Sequence, residues 1–103
     1  MPSKLQRLLR EPLSLRSLWK IETAALEAAE EAASPLGYFL VASIVGSIAM
    51  RMEGEPVSAD LVQVRGEVVL PALARVIDAA EAANAEQLVA AANEAIRGYL
   101  LSQ

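Results

Sequence analysis

Leu36-Gly-Tyr-Phe-Leu-Val-Ala-Ser-Ile-Val-Gly-Ser-Ile-Ala-Met50 is a run of fifteen residues without a single charged side chain. A helix apolar on every side is wrapped by other helices, buried between subunits or placed in a membrane. The run falls short of the roughly 20 residues that span a bilayer. It also contains two glycines and two serines. A buried central helix is therefore expected, and a membrane span is not.

Ser34-Pro35 marks where this helix begins, with serine as its cap and proline at its first position, where no amide hydrogen is needed. Downstream, Arg51-Met-Glu-Gly-Glu-Pro56 reads as a polar loop broken by Gly54 and Pro56. Ser58 then caps a helix from about 59 to 83, with Leu61, Val64, Val68, Leu73, Val76, Ile77 and Ala80 as its inward stripe. Val68-Val69-Leu70 could suggest a strand, but helix-forming sequence surrounds it and no second strand is available to pair with it. Pro71 is expected to kink or split this helix, with Gly66 softening the preceding turn. Asn84-Ala-Glu-Gln87 has the pattern of a capping box. The last helix follows it to about 101, with Leu88, Val89, Ala92, Ile96, Tyr99 and Leu100 expected to face inward.

Upstream, Ser14 caps a helix from about 14 to 33. Its apolar stripe is Leu15, Leu18, Trp19 and Leu26 with the alanines at 25, 29 and 33. Before it, residues 2–11 form a short amphipathic stretch. Leu5, Leu8 and Leu9 share one face, Lys4, Arg7 and Arg10 cover the rest, and Pro12 ends the stretch or starts the next element. The expected architecture is all-α: a four-helix bundle (13–103) preceded by a short additional N-terminal amphipathic helix that forms a basic arm (1–12).

Composition supports a helical chain and removes much chemistry. There are 20 Ala against 29 Leu, Val and Ile, with four aromatics among 103 residues. Alanine favours helix but buries little area, so the core must rest on close helix approach. A core this small is marginal, and oligomerisation is a common remedy. The chain has no Cys and no His. Thiolate and imidazole metal sites, disulfides and histidine-based triads are thereby excluded. No cofactor is expected, and no catalytic or metal-ligating set is assigned.

Charge is unevenly spread. Residues 1–20 carry five cations and one acid, while residues 21–103 carry four Arg and twelve acids. A basic arm on an acidic body suits electrostatic contact with a protein partner, an anionic lipid surface or a second copy of the chain, unless it is simply solvated. Nucleic acid is not expected, because the body is acidic and no interleaved aromatics or glycine-rich phosphate loop accompany the cations. The start lacks a continuous apolar core of secretory type, so a cytoplasmic location is expected.

Three groups of residues are candidate sites. Ala42, Gly46 and Ala49, with Ser43 and Ser47 beside them, allow two backbones to approach closely, either within the chain or across a two-fold axis between copies. Trp19 sits where the basic arm joins the body. It is either core or an interaction hot spot with Lys4, Arg7 and Arg10. Glu27, Glu30 and Glu31 on one helix and Asp78 and Glu81 on another are paired carboxylates one turn apart. If they faced each other they could hold Mg²⁺ or Mn²⁺. That arrangement resembles the all-helical nucleotide pyrophosphohydrolases, and the resemblance implies a metal-dependent hydrolase acting on a nucleotide. Solvated acidic faces account for the same residues. The expected function is a non-enzymatic interaction module forming a homodimer and acting as an adaptor, assembly factor or regulatory subunit. A metal-dependent hydrolase and a peripheral membrane protein are the alternatives.

Overall fold

A computed structural model describes residues 3–11, 14–54 and 59–101, with side chains of 59–68 left undescribed. Among the described residues there are five helices and no strand: α1 Lys4–Arg10, α2 Leu15–Glu31, α3 Leu36–Gly54, α4 Ala59–Glu81 and α5 Ala85–Leu101. The fold is all-α. The expected cap Ser58, the inward residues Leu61, Val64 and Val68, and the stop at Pro12 lie outside the described residues or side chains.

Local chemistry sets most of the helix ends. Ser3 caps α1, its hydroxyl accepting from the Gln6 N–H at 3.2 Å. Ser14 caps α2 in a reciprocal box with Ser17: each hydroxyl accepts the other residue's N–H, at 3.0 and 2.8 Å. Asn84 caps α5, its Oδ1 accepting from the Gln87 N–H at 3.0 Å. The Asn84 N–H is already given to the Ala79 carbonyl at 3.1 Å, so the reciprocal half of that box is not needed.

α2 and α3 form one helical hairpin and α4 and α5 a second, and α3 joins the two by packing on α4 and α5. α1 packs against both α2 and α4. The core is aliphatic. Leu18, Ile21, Leu73, Ile77, Val41, Val45, Val69 and Val76 are its largest fully buried side chains. The long dimension of the molecule, 38 Å, is close to the roughly 35 Å that a helix as long as α4 spans at 1.5 Å per residue.

Four expectations are corrected. Residues 51–54 are the last turn of α3 rather than a loop, because Met52 continues the buried Val41, Val45 and Ile48 stripe. Pro35 stands at the cap position rather than inside α3, its carbonyl accepting from the Phe39 N–H at 2.9 Å. Of the kink or split expected at Pro71, the split does not occur: α4 is one helix with Pro71 on its exposed side. On α5 the buried face is Leu88, Ala91 and Ala95, whereas Val89, Ile96 and Leu100 are exposed. Alanines let α5 approach α4 closely, and larger side chains at those positions would hold the helices apart.

Candidate functional site

The outer side of α3 carries the largest concentration of exposed apolar groups on that helix. Leu36, Phe39 and Met50 are 61, 59 and 67% exposed. Ser43 and Ser47 lie between them, both exposed. The Ser47 hydroxyl donates to the Ser43 carbonyl at 2.8 Å, so its hydrogen is used within the helix. No charge interrupts this strip before Arg51. Leu26 of α2 borders it, sharing a shallow depression with Phe39. α5, which also packs on α3, adds Val89, Ile96 and Leu100, positions that recur on one side of a 3.6-residue helix.

Gly46 is the expected contact residue that does not reach this outer strip. It is buried, and a Cβ built on it would stand 2.1 Å from Glu22 Oε2 of α2. Ala42 and Ala49 are buried as well. The small-residue face of α3 therefore serves the α2–α3 hairpin inside one chain.

The basic arm also packs within the chain. Leu5 and Leu9 enter the core at 5 and 8% exposure. Gln6, 8% exposed, donates through Nε2 to Asp78 Oδ1 and to the Ala74 carbonyl. The Ser3 hydroxyl donates to Glu81 Oε1 at 2.9 Å. The arm is held by leucines and neutral polar groups, while Lys4, Arg7 and Arg10 stay exposed. Trp19 is half-buried and packs against the core at the α1–α2 junction.

Asp78 and Glu81 thus form the edge on which α1 docks. Glu27, Glu30 and Glu31 are exposed on α2. Among the described residues no three Asp or Glu side chains gather where they could hold a metal ion. The facing arrangement that would resemble the helical pyrophosphohydrolases is not formed by these pairs.

A cleft of about 260 Å³ opens where the two hairpin turns meet, lined by Ser34, Tyr38, Glu81, Asn84 and Leu88 among others. It is smaller than the ~300–1,000 Å³ of ordinary ligand pockets. Burial pushes the Tyr38 phenol above its usual 10.0, and the Glu81 charge adds to the effect. Tyr38 therefore stays protonated at neutral pH and can act there as a hydrogen-bond donor, not as a base.

α3 has the length and composition to cross a membrane, at 19 residues with mean hydropathy 1.3, but half of that stretch is buried inside the chain. The exposed strips on α3 and α5 carried little sequence signal, because α3 is apolar all round and α5 offers two apolar faces. No family model matches the chain, and no match is found to a curated protein or to a solved structure.

Proposed function

We propose that this protein is a non-enzymatic helical module that self-associates as a homodimer, serving as an adaptor, assembly factor or regulatory subunit. One observation carries this reading: Leu36, Phe39 and Met50 on α3 and Val89, Ile96 and Leu100 on α5 are each at least 39% exposed on adjoining helices. Soluble monomers rarely leave contiguous apolar patches of more than a few hundred Å² facing water, and larger ones mark interaction surfaces. A symmetric pairing would bury these exposed side chains with the same surface on each copy. The small core of an alanine-rich chain adds a reason for assembly.

Sedimentation velocity over a range of protein concentrations tests it. The expected mass is twice 11.0 kDa, with dissociation on dilution. Phe39→Asp and Ile96→Asp should each shift the equilibrium toward monomer while helical circular dichroism is retained. Both positions lie outside the buried core. A wild-type chain that stays monomeric at several hundred micromolar, or variants that leave the mass unchanged, would sink the proposal.

A further inference from the structure

A second surface lies on other helices. Between α1 and α2 runs an open groove of about 520 Å³ bordered by Lys4, Leu8, Arg16, Trp19 and Lys20. Arg16, Trp19 and Lys20 fall on one side of α2 by their i, i+3, i+4 spacing, and Lys4 and Leu8 lie one turn apart on α1. Trp19 and Leu8 are half-buried against the core and supply an apolar floor, while the three cations are exposed along the rim. Among the described residues no carboxylate lines the groove. Among the described residues none of these cations is in an ion pair, whereas Arg75 is paired with Glu94. In a chain with thirteen acids and nine cations, three cations without an ion pair among the described residues thus surround the only tryptophan.

We infer that this groove receives an acidic, amphipathic peptide segment of a protein partner. Its carboxylates would meet Lys4, Arg16 and Lys20, and an apolar side chain would rest on Trp19 and Leu8. Charge complementarity selects that occupant: potentials of opposite sign steer encounter and fix register, and an aromatic flanked by cations is a common anchor. A lipid surface fits less well. Membrane-binding helices insert large apolar side chains, but Leu5 and Leu9 of α1 are used inside the core. The groove is also concave where a bilayer is flat. Nucleic acid is disfavoured by the surplus of eight acids over residues 21–103, which repels a phosphate backbone.

The experiment uses the whole chain and Trp19 as the reporter. The probe is an acetylated, amidated helical peptide of about fifteen residues built from Glu, Leu and Ala, with the glutamates one turn apart. The expected result is a saturable change in Trp19 emission that weakens at least ~tenfold as salt rises from about 50 to about 300 mM. The Arg16→Glu/Lys20→Glu double variant, checked for retained helicity, should lose the response at least ~tenfold, as a rim electrostatic contact requires. A Gln-for-Glu peptide should give no response. Phe39→Asp should leave peptide binding unchanged, so failure of the self-association proposal would not be mistaken for failure of this one. No saturable change up to millimolar peptide, equal binding by the double variant, or a response only to phosphatidylserine vesicles or an oligonucleotide would overturn the inference.

Discussion

Gly37 and Gly46 both lie on α3, and their surroundings predict opposite responses to an added methyl group. At Gly46 the first atom a Cβ would meet is Glu22 Oε2, at 2.1 Å, with the rest of that side chain at 3.3 Å or more. Glu22 is half-exposed, and its carboxylate can swing into water. Removing a mid-helix glycine is worth about 1 kcal/mol, so Gly46→Ala should be neutral or stabilising by up to that amount. At Gly37 the Cβ would stand 2.9 Å from Leu88 Cδ1, 3.1 Å from Ala80 Cβ and 3.5 Å from Val76 Cγ1. Ala80 Cβ moves only with the α4 backbone, and Leu88 is itself buried. Overpacking of this kind costs about 1–3 kcal/mol. Urea unfolding at constant m-value reads both changes. If the two midpoints moved in the same direction, this account of the α3 contacts would be wrong.

At the scale of the element, the turn between α4 and α5 carries a correctable strain. Ala83 has φ 53°, the chain's non-glycine residue in left-handed conformation among those described. The Asn84 N–H bonds to Ala79 O and the Ala83 N–H to Ala80 O, at 3.1 and 3.2 Å. These are the two bonds of a Schellman ending, which favours glycine at this position. Left-handed backbone costs an alanine about 1–2 kcal/mol, more than the ~0.4–1 kcal/mol by which glycine loosens the unfolded chain. Ala83→Gly should therefore raise stability by roughly 0.5–1 kcal/mol, visible as a higher thermal midpoint, and a lower midpoint would contradict the assignment. The sequence pattern shows the Ser14 and Asn84 caps but not this left-handed alanine, since its residue type gives no cue. The helix count and most boundaries follow from spacing and breakers. Which face of α5 is buried does not, because hydrophobicity ranks Val89 and Ile96 above Ala91 and Ala95 while close packing on α4 selects the alanines. The extent of α3 was hidden for a related reason: Arg51 and Glu53 look like a loop until Met52 is seen in the core.

At the scale of the whole molecule, the partition into a basic arm and an acidic body does not describe how the chain is held together. α1 packs on both α2 and α4, and its Leu5 and Leu9 belong to the same buried core as the side chains of the other helices. Its cations take no part in that attachment, which leaves them available to a partner. If residues 1–12 were a separate arm, truncating Leu9 would leave the unfolding of the remainder unchanged. With Leu9 8% exposed inside the common core, Leu9→Ala should instead cost about 2–4 kcal/mol of global stability. That is a large part of the ~5–15 kcal/mol a small domain possesses. Trp19 emission reports the α1–α2 junction and far-ultraviolet circular dichroism reports all the helices. In wild type and Leu9→Ala alike, the two signals should follow one shared transition, shifted to lower denaturant in the variant. An early Trp19 change followed by an unshifted dichroism transition would restore the independent arm. It would also remove the rigid α1 wall on which the proposed acidic-peptide groove depends.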